Sequence, residues 1–126
     1  MANGNISVIK IRDILLVTVP SDPDDVTVGE LQNQVLLAME RHGAKGLILD
    51  ISTVETIDSF FARTVSETVK MVALMGGLTV LSGMRACVAI TSTQLGLSMG
   101  KTLTALDVDR AMDMLSLALD DAGDGI

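Results

Sequence analysis

Tryptophan and tyrosine are missing from this chain, and phenylalanine occurs only at Phe60 and Phe61. Without aromatic platforms, the usual means of gripping unstacked bases is lacking. Basic residues are also scarce: nine Lys and Arg stand against sixteen Asp and Glu, for a net charge of −7. Phosphate backbones are held by clusters of Lys and Arg, and no such cluster is present, so nucleic acid is not an expected partner. The single cysteine, Cys87, excludes an internal disulfide, and with His42 as the sole histidine no metal site is expected. No stretch reaches the eighteen or so uninterrupted apolar residues of a membrane helix. Met1 to Arg12 lacks the pattern of a secretion signal. A cytoplasmic protein without a membrane partner is the expectation. The sequon Asn5-Ile6-Ser7 then carries no weight.

What is present suffices for a core. The chain has 126 residues, 48% of them hydrophobic. That length corresponds to one domain over 1–126, able to bury roughly two-thirds of its unfolded surface. The core is expected over about 6–119, with a frayed tail from Asp120 to Ile126.

Hydrophobic periodicity orders the elements. Ile6 to Val19 alternates and is interrupted at Arg12-Asp13, which predicts two strands and a tight turn. Pro20 to Asp25 is a polar loop with acids that suit a helix start. Val28, Leu31, Val35, Ala38 and Met39 recur at helical spacing, and Gly43 ends that helix. Gly46 to Ile51 is apolar throughout, as in a strand buried on both faces. Ser59 to Met75 is helical, with Phe61, Val65, Thr68, Val72 and Met75 on one face and Gly76-Gly77 as the stop. Leu78 to Leu81 is a further buried strand, and Arg85 to Leu95 a helix ended at Gly96. Leu103 to Leu106 is a short last strand, followed by a helix over Asp107 to Leu119. The order β-β-α-β-α-β-α-β-α implies an α/β fold: a mixed, largely parallel five-stranded sheet with four helices and one antiparallel hairpin.

In such a sheet the loops at the carboxyl ends of the parallel strands share one edge. The predicted loops bring together Asp22, Asp24 and Asp25, then Asp58 and Ser59, then Gly83, Met84 and Arg85. Ser59 opens a helix. Capping is one reading of a serine there. The other is a phosphoacceptor, because free backbone N–H groups and the positive helix end stabilise a phosphoryl group. The two are compatible if Asp58 caps while Ser59 points outward. Phe60 and Phe61 lie about 100° apart on a helix. Phe61 falls on the apolar stripe. Phe60 lines up with Thr64 and Glu67 and is expected partly exposed, as a helix-edge aromatic or as an anchor for a partner.

Ile57-Asp58-Ser59, placed after a buried strand and opening a helix, resembles the STAS family, which includes the anti-anti-sigma factors. Leu49-Asp50-Ile51-Ser52, Leu74-Met75-Gly76-Gly77 and Arg85-Ala86-Cys87-Val88-Ala89-Ile90 add to a resemblance that spans Ile6 to Leu119. Anti-anti-sigma factors follow Asp-Ser with a small residue, Gly and Leu, whereas Phe60-Phe61-Ala62 follow here. Bulky residues at these positions, with Ala105-Leu106-Asp107, resemble stressosome scaffolds of the RsbS type. That resemblance implies a non-catalytic protein without cofactors, phosphorylated on Ser59. It implies a serine kinase of the RsbT type, STAS sensor paralogues of the RsbR type and a serine phosphatase of the RsbX type as partners. It also implies self-association in a large complex that holds the kinase and releases it on phosphorylation. Asp24, Asp25, Asp58, Phe60 and Arg85 are the expected partner-binding residues. Thr27 is a weaker candidate for a second modified site. Alternatives are a stand-alone anti-anti-sigma factor and a STAS module that binds a small ligand.

Two other motifs fail on chemistry. Gly100-Lys101-Thr102 resembles the end of a P-loop, but the required earlier glycine is Leu95, and the segment follows a helix instead of a strand. A receiver domain would use Asp50 with Asp24 and Asp25 around Mg²⁺, yet Asp50 is expected inside its strand and no Lys closes Leu103 to Leu106. His42 reads as a solvated cation at a helix C-terminus. Cys87 and the seven internal methionines read mostly as core.

Overall fold

The computed structural model describes residues 6–94 and 102–124. Its strands are β1 (Ser7–Ile11), β2 (Ile14–Thr18), β3 (Gly46–Asp50), β4 (Leu78–Ser82) and β5 (Leu103–Ala105). Its helices are α1 (Asp25–His42), α2 (Ser59–Leu74), α3 (Ala86–Gln94) and α4 (Val108–Asp124). The strands lie in the order β1-β2-β3-β4-β5, with β1 antiparallel to β2 and every other neighbour parallel. The expected mixed sheet with four helices is therefore the observed one.

The two faces of the sheet are filled differently. Leu15, Val17, Leu47, Leu49 and Leu81 point to one side, where Val28, Leu31 and Val35 of α1 and Phe61, Val65 and Val72 of α2 close over them. Ile14, Ile48 and Val80 point to the other side and meet Ala111 and Leu115 of α4. Alternation along each strand produces this division, because successive side chains leave a strand on opposite faces. The predicted stop at Gly43 has a physical basis: its φ of 59° is left-handed, a conformation that glycine adopts without a Cβ penalty.

Several boundaries and burials differ from the sequence expectation. α4 continues past Leu119 to Asp124. α3 begins at Ala86, and the expected helix end at Leu95-Gly96 lies outside the described residues, as do Gly100 and Lys101. Met75 is not on the buried face of α2; it is the C-cap and is 45% exposed. Leu78 was expected in a buried strand and is also exposed, since the strand begins at the sheet margin. Among the described methionines only Met39 is fully buried. Cys87 is exposed instead of core, with its Sγ 3.4 Å from the Glu55 carbonyl oxygen. It lies in the first turn of α3, next to the buried Val88.

Candidate functional site: the carboxyl edge of the sheet

The loops after β2, β3 and β4 meet at one edge and are tied to one another through the backbone. The Val19 amide donates to the Asp50 carbonyl at 3.0 Å, and the Ile51 amide to the Ser82 carbonyl at 3.0 Å. The Gly83 amide donates to the Ala105 carbonyl at 3.0 Å. The Thr53 hydroxyl reaches the Val19 carbonyl at 3.3 Å. Gly83 has φ +77°, and a Cβ there would sit 2.6 Å from the Ser52 Cβ, so only glycine lets the loop after β4 lie against the loop after β3.

α1 and α2 both start from this edge with an aspartate cap. Asp24 accepts from the Thr27 amide at 2.8 Å. Asp58 accepts from the Phe61 amide at 2.8 Å. Each cap satisfies one of the amides that a helix leaves unpaired at its start. The Thr27 amide, and after it the Thr27 side chain, holds the Asp24 carboxyl below the usual carboxylate range. Thr27 itself is buried, at 8% exposure. Asp58 occupies the capping role, so Ser59 is free of it and stands exposed as the first residue of α2. Phe61 is buried and Phe60 is 39% exposed, as the 100° step between them requires.

The edge gathers Asp22, Asp24, Asp25, Glu55 and Asp58, all exposed. Asp50 is at the tip of β3, not within the strand as expected, and its carboxylate accepts from the Ser52 amide at 3.0 Å. Arg85 is also exposed here, but it does not close on the aspartates. Its nearest carboxylate is Glu55 at 3.9 Å, a partner that the sequence reading did not single out. Both side chains are well solvated, so this pair contributes little stability. Among the described residues, no group of three or more His, Cys, Asp or Glu is arranged to hold a metal ion. A shallow cavity of about 330 Å³ between β1 and α1, lined by Val8, Leu37, Arg41 and His42 among others, belongs to the opposite end of α1. Among the described residues no helix is long and apolar enough to cross a membrane.

Comparisons with known proteins agree with this geometry. The STAS domain family model matches residues 5–111. The fold is similar to that of a serine-to-glutamate variant of RsbS from Moorella thermoacetica, with 29% identity, a TM-score of 0.83, and 92% of this chain and 98% of that chain covered. It is similar to a chain solved in the molecular architecture of the stressosome, a signal integration and transduction hub, at 29% identity and TM-score 0.76, covering 90% of this chain and 98% of that one. A putative anti-sigma factor antagonist from Thermotoga maritima shares the fold at 16% identity and TM-score 0.74, over 88% of this chain and 94% of that chain. No curated protein matches the sequence. A family match that takes in all five strands and the first three helices leaves no part of the sheet unaccounted for, and the chain belongs to the STAS domain family.

Proposed function

We propose that this chain is a non-catalytic scaffold of a stressosome-type assembly in the cytoplasm. It co-assembles with STAS-bearing sensor paralogues of the RsbR type and holds a serine kinase of the RsbT type. Phosphorylation of Ser59 releases the kinase, and a phosphatase of the RsbX type resets the switch. The observation that carries this reading is the exposed Ser59 at the first position of α2, with Asp58 already serving as the cap. Its likeness to RsbS and to a stressosome component supports the scaffold role.

The mechanism is electrostatic. A phosphoryl group adds about −1.5 to −2 charge beside Asp58 and the neighbouring acids. It is held by the helix start, so it stays at the surface where a partner must dock. The half-exposed Phe60 next to it supplies an apolar anchor, and the added charge and hydration weaken docking there. Each 1.4 kcal/mol lost lowers affinity about tenfold.

The test is phosphorylation by the cognate kinase, with peptide mapping by mass spectrometry and kinase binding by calorimetry. Ser59→Ala abolishes phosphate incorporation and keeps kinase binding, whereas Ser59→Asp weakens binding. Equal affinity for unmodified and phosphorylated chain would refute the switch. Size-exclusion chromatography with a sensor paralogue separates a scaffold, which enters a large complex, from a stand-alone anti-anti-sigma factor, which does not.

A further inference from the structure

The basic residues of this acidic chain are unevenly placed. Lys10, Arg12, Arg41 and Lys45 are four of its nine Lys and Arg, and all four are exposed, as is the sole histidine, His42. The fold brings them to one corner, where the turn between β1 and β2 meets the end of α1: the Lys45 amide donates to the Asp13 carbonyl at 2.7 Å. Arg41 and His42 line the shallow cavity between β1 and α1, together with the apolar Val8, Leu37 and Ala38. The acids of this corner, Asp13 and Glu40, do not line it. α1 is 18 residues long, about 27 Å at the usual rise, and its acid-ringed start lies at the other end.

β1 forms one wall of the cavity and is an edge strand. Among the described residues it pairs only with β2, so the backbone groups along its outer side have no ladder partner there. Its two faces differ in chemistry. Val8 and Lys10 stand opposite Val17 and Leu15, on the side of the sheet that α1 covers, the side of Arg41 and His42. Ile9 and Ile11 stand opposite Leu16 and Ile14 on the other side, and Ile9 is 49% exposed. The open edge is therefore cationic on one face and apolar on the other.

We propose that β1 takes up an extended acidic segment of a partner protein as a further strand of the sheet. Backbone hydrogen bonds along the edge supply the affinity, and alternating side chains supply the selection. Carboxylates on one face of the segment meet Lys10, Arg41 and His42, and their methylenes cover Val8 and Leu37. Apolar residues on its other face extend the row of Ile9 and Ile11. Charge selects against the rival occupants. A second copy pairing through β1 would set Lys10 and Arg12 against another basic strand, and like charges across a ladder are destabilising. An anionic membrane repels a chain of charge −7 and offers no backbone to the edge. This contact lies apart from the Ser59 surface and stands whether or not that serine is the switch.

Titration calorimetry on the purified full chain tests it, with amide NMR to locate the contact. The probe is the acetylated, amidated heptapeptide Glu-Val-Glu-Val-Glu-Val-Glu. It binds, moves the amide signals of Ser7 to Ile11 and slows their exchange with solvent, while those of Ser59 and Phe60 stay in place. The block peptide Val-Val-Val-Glu-Glu-Glu-Glu, equal in charge and composition, binds at least about tenfold more weakly, because only alternation gives each face its own chemistry. N-methylation of alternate amides of the probe abolishes binding for one set and spares it for the other, since every second amide faces β1. Lys10→Glu with Arg41→Glu, checked for folding by circular dichroism, loses the acidic probe and takes up Lys-Val-Lys-Val-Lys-Val-Lys instead. An acidic probe that does not bind, a block peptide that binds equally well, or a charge-reversed chain that keeps the acidic probe overturns the proposal. Protection of Ser7 to Ile11 that grows with chain concentration in the absence of peptide overturns it in favour of a second copy. Phosphatidylglycerol vesicles that move the same signals overturn it in favour of a membrane.

Discussion

Replacing Asp58 tests how the Ser59 site is built. Asp58→Ala removes the 2.8 Å bond that the carboxylate accepts from the Phe61 amide and leaves that amide to water. Loss of an N-cap of this kind costs about 1 kcal/mol, within roughly 0.5–2 kcal/mol. With an unfolding entropy of about 2.1 cal/mol/K per residue, a chain of this length loses about 4 °C of melting temperature for each kcal/mol. Asp58→Asn keeps a side-chain oxygen in place and ranks with Asp as a cap, so it costs only a few tenths of a kcal/mol. Urea unfolding followed by circular dichroism reads the difference as a shift in midpoint at constant slope. An Asn variant as damaged as the Ala variant would mean that charge near the helix end, and not the hydrogen bond, does the stabilising; raising the salt would then shrink the gap. An Ala variant as stable as wild type would refute the cap, and with it the reasoning that Asp58 frees Ser59 for modification.

Neighbouring phenylalanines should behave oppositely: Phe61→Ala, at 5% exposure, destabilises by about 3–5 kcal/mol. Phe60→Ala costs less than about 1 kcal/mol in thermal unfolding but weakens kinase binding measured by calorimetry. Gly83→Ala forces a side chain into a left-handed backbone and against Ser52, so its unfolding free energy falls by more than about 2 kcal/mol; a loss below about half of that would show that the loop contact is soft. Asp24 is held below the usual carboxylate range in the folded chain, so its contribution is full above its unfolded value and is lost as pH falls through the folded one. Asp24→Ala should therefore flatten the acid side of the stability profile measured by urea midpoints between neutral and acidic pH, and a profile parallel to wild type would contradict the sign.

The order of elements was legible because each strand and helix declares its period in the chain. β3 and β4 are short runs buried on both faces, while buried positions recur every three or four residues in α1 and α2, and those patterns survive whatever the neighbours are. The Asp58-Ser59 pair at a helix start, the stop at Gly43 and the split between Phe60 and Phe61 are equally local. Partners far apart in sequence could not be read in this way. Arg85 meets Glu55 instead of the aspartates because the loops after β3 and β4 are drawn together by sheet register. Gly83 needs its missing side chain only because Ser52 lies against it. The apolar Met75, Leu78 and Cys87 look like core in one dimension, yet they lie at element ends that no second layer covers. The sequence alone determines which faces seek burial, since that depends on spacing within one segment. Only the tertiary structure decides which of those faces find a cover and which groups meet at an edge, since that depends on how strands register and helices cross.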